Sequence, residues 1–106
     1  SPALSHVGLH QEEAKAQYSN VAVASLPVAN MPRGAVNQDQ RGIYRVVVDK
    51  DTNLILGATL FSKNSEEIIN IIKMAIDNKI PYTYIRDQIF THPTMAENLN
   101  DVFKLV

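Results

Sequence analysis

Two apolar runs separated by a polar tetrapeptide limit what this chain can become. IYRVVVD (43–49) and LILGATLF (54–61) are rich in β-branched and aliphatic residues and flank KDTN, the composition of two strands joined by a turn. Asp51 and Asn53 can supply the side-chain-bonded or positive-φ positions that such a turn needs. The runs are nearly continuous rather than alternating, which predicts cover on both faces of the hairpin. Gly57 interrupts the second run and predicts a bulge or another backbone passing close by.

Beyond the hairpin the pattern turns helical. Over 65–79, Ile68, Ile71, Ile72, Ala75 and Ile76 fall on one stripe, Asn64 and Glu67 are spaced as a capping pair, and Pro81 is the stop. YTYIRDQIF (82–90) predicts a shorter helix with Tyr82, Ile85 and Ile89 on one face. A last helix over about 94–104 would be capped by Thr94 and turn Leu99, Val102 and Phe103 inward.

Upstream of the hairpin, ALSHVGL (3–9) reads as a short strand and HQEEAKAQ (10–17) as a helix closed by Tyr18-Ser19-Asn20. VAVASLPVA (21–29) reads as a strand whose Pro27 marks an edge or an end, and residues 30–42 as a loop. Strands early and helices late predict a single α+β domain over 1–106, an antiparallel sheet covered by helices on one side.

Composition narrows the function. Ten basic against eleven acidic side chains give a formal charge of −1 with no Lys/Arg cluster, which argues against general nucleic-acid binding. No apolar run approaches a membrane span and no signal peptide is visible. The lack of cysteine excludes a disulfide framework and any thiolate metal site, and cytosol is the default compartment. The chain opens SPALSHVG, without Met, and reads as a piece of something longer.

Among chemistry-bearing motifs, there is no Gly-rich phosphate loop, CxxC, HExxH or G-x-S-x-G. Of three histidines, His6 and His10 have no sequence-adjacent second ligand, so no metal site is expected and both read as partly exposed polar residues. His92 differs. In FTHPTMAE (90–97) it precedes Pro93 and stands five residues before Glu97. A carboxylate one turn into the last helix can fold back on the imidazole, fix its tautomer and favour its charged form, making an acid–base unit near neutral pH. Equally, Glu97 can serve only the helix dipole, with His92 an ordinary loop residue. The residues leave both readings open. Pro93 also admits a cis His92-Pro93 bond.

VGL with EEA at the start, RGIYRVVVDKDTNLILGATL in the middle, then SEEIINIIKMAI and IFTHPTMAENL carry a resemblance over nearly the whole chain. Together they resemble the C-terminal dimerisation domain of the FAD-dependent pyridine nucleotide–disulfide oxidoreductases. His-Pro-Thr with Glu at the fifth position after His is the most specific part. The stretch 80–103 looks most like a mercuric-reductase-like bacterial branch that includes reactive-chlorine-resistance flavoproteins and hypothiocyanous acid reductases.

The resemblance implies a homodimer whose active sites are shared between subunits. His92 would be the acid–base residue facing the partner subunit's redox cysteines and flavin, and Glu97 the carboxylate that holds it. His92 and Pro93 would bring backbone close to the partner's FAD, through the family's cis-proline joint. FAD and NAD(P)H would be bound by other domains of the full-length enzyme, and this piece alone would carry no cofactor and be inactive. Departures are few. Arg45 stands where the family commonly has Lys, and no C-terminal cysteine pair supports an extended electron relay. Mercuric reductases generally lack this histidine. Two other readings fit the residues: a stand-alone dimeric α+β module that binds a ligand or protein without catalysis, and a small acid–base enzyme built on His92 and Glu97 alone.

Overall fold

The computed structural model describes residues 3–30, 41–91 and 95–106. Four strands, β1 (Ala3–Gly8), β2 (Val21–Pro27), β3 (Ile43–Asp49) and β4 (Leu54–Ser62), form one antiparallel sheet in the order β1-β4-β3-β2. Helix α1 (Gln11–Gln17) lies between β1 and β2, and α2 (Ser65–Asp77), α3 (Tyr82–Asp87) and α4 (Asn98–Phe103) come after the sheet. The α+β architecture read from the element order is the one observed.

The hairpin turn is built by Asp49 as well as by the residues expected. Its carboxylate accepts from the Asp51 N–H at 3.1 Å and the Thr52 hydroxyl at 2.8 Å, while Asn53 takes φ 61°. Asp51 in turn accepts from the Asn20 side-chain amide at 3.1 Å.

Both structural roles foreseen for Gly57 occur together. Val47 pairs with Gly57 and Val48 with Ile55, so Leu56 is the extra residue of a bulge. The bulge resets the alternation, which is why Ile55 and Ala58, three apart, both reach the main core. The neighbouring backbone is that of Leu9, which donates to the Leu56 carbonyl at 2.9 Å.

Tyr44, Val46 and Val48 of β3 face the core, joined by Leu60, Ile72, Leu99, Val102 and Phe103. Helix α2 lies over β1 and β4, and α4 over β2 and β3. The other face is covered in part: Val47 and Ala14 of α1 are buried outside the main core, whereas Leu4 is 69 % and Phe61 36 % exposed. Cover on both faces therefore holds for the middle of β3 and not for the end of the sheet near Leu4.

Several boundaries differ from the sequence reading. β2 stops at Pro27, which pairs with Ile43 on an edge strand, and Val28–Asn30 is a 3-10 turn rather than strand. Helix α2 ends at Asp77 because Lys79 turns left-handed, φ 54°, and the Ile80 N–H reaches back to the Ala75 carbonyl at 2.8 Å. At the other end Asn64 makes no side-chain cap with Glu67. It contributes its left-handed φ of 67°, and the Ser65 hydroxyl instead donates to the Ala3 carbonyl at 2.7 Å.

Helix α3 ends at Asp87, and Ile89 is 91 % exposed rather than sharing the buried face of Tyr82 and Ile85. The last helix is a 3-10 turn, Met95–Glu97, continued by α4, and Leu99, Val102 and Phe103 point inward as expected. The predicted cap Thr94 lies outside the described residues.

Candidate functional site

Of the residues singled out for chemistry, His92 and Pro93 lie outside the described residues and Glu97 within them. What the structure defines is the frame on either side. On the N-terminal side, α3 leads into Gln88, whose ψ of 142° starts an extended segment. Phe90 packs against the core from that segment, and Thr91 is exposed. On the C-terminal side, Glu97 is half-buried in the turn that feeds α4, with φ −59° and ψ −23°. The next two residues, Asn98 and Leu99, are fully buried. Leu99, Val102 and Phe103 hold α4 in the core, so the backbone that carries Glu97 is tied directly to the most buried part of the domain.

Helix α3 is tied down at its start. There the Tyr82 N–H donates to the Asn53 carbonyl at 2.8 Å, which joins it to the hairpin turn. The Tyr82 ring lies 6.1 Å from that of Phe103, and the Lys50 ammonium donates to its hydroxyl at 3.1 Å. Beside it, Arg86 and Asp87 form a two-bond ion pair at 2.9 and 3.0 Å. That pair holds the exposed Asp87 carboxyl below its ordinary value, chiefly through the hydrogen bond from Arg86.

His6 and His10 come together in a way the sequence reading did not foresee. Gly8, with φ 73°, turns the chain between them, and their rings stack with centroids 3.7 Å apart and planes 7° apart. His6 Nδ1 is 2.7 Å from the Thr59 hydroxyl and Nε2 is 2.8 Å from the Gly8 carbonyl. Parallel stacking points the in-plane nitrogen lone pairs past each other, so the two rings do not form a chelating pair. Among the described residues no three His, Cys, Asp or Glu side chains gather closely enough to hold a metal. A groove of about 520 Å³ opens beside the stack, lined by Leu9, His10, Glu13, Arg45, Val47 and Thr59.

Nor do the described glycines form a phosphate cradle. A Cβ on Gly8 would lie 2.3 Å from the Leu56 carbonyl oxygen, on Gly42 1.7 Å from that of Phe61, and on Gly57 1.9 Å from that of Leu9. Each glycine is taken up by contact with neighbouring backbone, and these residues do not fit a dinucleotide.

Residues 1–103 match the family model described as pyridine nucleotide-disulphide oxidoreductase, dimerisation domain, and the chain belongs to that family. It is 48 % identical over its full length to the probable pyridine nucleotide-disulfide oxidoreductase RclA of Escherichia coli, of which it spans about a quarter, 24 %. A mercuric reductase of Staphylococcus aureus is 30 % identical over 93 % of the chain and 18 % of its own length.

Among solved structures, the HOCl-induced flavoprotein disulfide reductase RclA from Escherichia coli superposes with a TM-score of 0.93, over 97 % of this chain and 24 % of that one. LpdA from Mycobacterium tuberculosis, 17 % identical, superposes at 0.86 over 97 % of this chain and 22 % of that one, a likeness of fold. No helix among the described residues is long and apolar enough to cross a membrane.

Proposed function

We propose that residues 1–106 are the C-terminal dimerisation domain of an NAD(P)H-dependent FAD disulfide-type oxidoreductase, a cytoplasmic homodimer. In it, His92 with Glu97 serves the active site of the partner subunit. The observation that carries this reading is the family match over residues 1–103, joined to 48 % identity with an oxidoreductase across the whole chain. Support also comes from Ile89, a large apolar side chain left 91 % exposed three residues before His92, where a second subunit would cover it.

FAD and NAD(P)H would be held by other domains of the full-length enzyme and would supply there the electron pair for reducing the redox disulfide. The chain's own contribution is proton handling. His92 accepts the proton of a thiol in the partner subunit's cysteine pair: the S–H bond breaks, its electron pair stays on sulfur, and the proton moves to the free ring nitrogen. The imidazolium stabilises that thiolate, then returns the proton to the sulfur that leaves as the disulfide exchanges. Glu97 accepts a hydrogen bond from the other ring nitrogen, holding the tautomer and favouring the charged ring. The His92-Pro93 backbone would lie close to the partner's FAD.

The test is stopped-flow kinetics of the full-length enzyme. His92→Ala is expected to slow the thiol–disulfide step by roughly 100-fold or more, the range of general acid–base catalysis, with flavin content and dimerisation retained. Glu97→Ala moves it in the same direction and less. Normal reduction and reoxidation in the His92 variant would remove the catalytic role.

A further inference from the structure

The C-terminal end of α3 is held by a side chain to which the acid–base reading gives no part. Asn100 sits in α4 immediately after the fully buried Leu99. Its Nδ2 lies within hydrogen-bond distance of three carbonyl oxygens, those of Ile85 at 2.8 Å, Gln88 at 2.9 Å and Arg86 at 3.2 Å, so its two N–H groups are shared among them. The last carbonyls of a helix have no partner within it, and here one amide from another helix serves three carbonyls at that end. A helix of six residues has little capacity to hold its own end.

The contact reaches past the helix. Gln88 has already turned to extended backbone, so its bond to Asn100 fixes the direction in which the chain leaves α3 toward Phe90 and Thr91. On the other side, Asn100 shares α4 with Asn98 and lies three residues beyond Glu97. One side chain therefore ties together both stems of the connection that contains His92. Stems joined this way fix the distance that the connection between them has to span.

We infer that Asn100 is a positioning residue for the acid–base step, holding the stems of the His92 connection in fixed relation. Its role rests on the assignment of His92 as the acid–base residue. Asn100→Asp keeps the side-chain volume but replaces the amide donors with carboxylate oxygens facing three carbonyls. Asn100→Ala removes the tie outright.

The experiment is a double-mutant cycle in the full-length flavoenzyme. Stopped-flow traces record flavin reduction by NAD(P)H separately from reoxidation by lipoamide disulfide and by hypothiocyanite. Asn100→Asp and Asn100→Ala are each expected to slow reoxidation by roughly tenfold to a hundredfold, with flavin reduction little changed. In the His92→Ala background the same substitutions add no further slowing, because the group they position is gone. Equal further slowing in both backgrounds makes Asn100 a general structural residue and overturns the inference. An unchanged rate in the Asn100 variants, with His92→Ala still slow, overturns it while leaving the His92 assignment standing. Full activity of His92→Ala overturns both.

Discussion

Gly57 and Leu9 touch through their backbones: a Cβ on Gly57 would lie 1.9 Å from the Leu9 carbonyl oxygen and 2.8 Å from its nitrogen. The contact closes β4 against the segment that leaves β1 for α1, at the site of the bulge. Neither partner is a flexible side-chain end, so an added methyl must move main chain. Gly57→Ala is expected to destabilise the chain by roughly 3 kcal/mol, the upper part of the overpacking range. Urea unfolding checks this, and a midpoint equal to that of the unaltered chain would show that the strand yields.

Tyr44 makes stability depend on alkaline pH. Its ring is fully buried and its hydroxyl lies 3.4 Å from that of Ser62. Burial pushes the hydroxyl above the ordinary tyrosine value, with the Ser62 hydrogen bond opposing. The folded state therefore keeps its proton to higher pH than the unfolded one. The stabilisation is fully present below the unfolded value of about 10 and is lost as pH rises through the raised folded value. Unfolding midpoints are expected to fall as pH rises from about 10 toward the raised folded value, and Tyr44→Phe to flatten the fall. Equal slopes for both chains would contradict this.

Ile89 is the residue to alter for assembly. At 91 % exposure it contributes little to the monomer core, so Ile89→Asp is expected to leave the unfolding midpoint nearly unchanged. If the partner subunit covers it, the same substitution weakens the dimer by about tenfold or more in Kd, as loss of a buried apolar anchor does. Sedimentation of the full-length protein at graded concentrations reads this directly. A dimer of unaltered strength would place Ile89 outside the interface.

The legible parts of the fold were those set by local pattern. The apolar stripe of α2 and the two runs of the hairpin are period and composition, and each formed the kind of element the pattern predicted, with α2 stopping at Asp77 rather than 79. The misread parts depend on distant partners. Ile89 matches the helical period of Tyr82 and Ile85, yet α3 ends at Asp87 and Asn100 binds its terminal carbonyls from another helix.

Asn64 has the spacing of a capping pair with Glu67, yet its backbone is left-handed and Ser65 makes the anchoring bond. The His6–His10 stack arises from the left-handed turn at Gly8; a glycine midway between two histidines was its one sequence signal. For the candidate site, the sequence carried the residue pair through the His-Pro-Thr motif. The structure adds the seating of Glu97 at the head of a buried helix, while His92 and Pro93 lie outside the described residues.

The central claim is that His92 works in the partner's active site, and hybrid dimers test it most directly. A subunit carrying His92→Ala is paired with one whose redox cysteines are replaced by serine. Each homodimer lacks one half of every site and is expected to be nearly inactive. In the hybrid, the intact cysteines of the first subunit meet the intact histidine of the second at one of the two sites. Disulfide reductase activity is predicted to return to about half that of the unaltered dimer, after correction for the fraction of hybrid formed. If His92 served its own subunit, neither site would be complete. Hybrid dimers as inactive as both parents would then contradict the account.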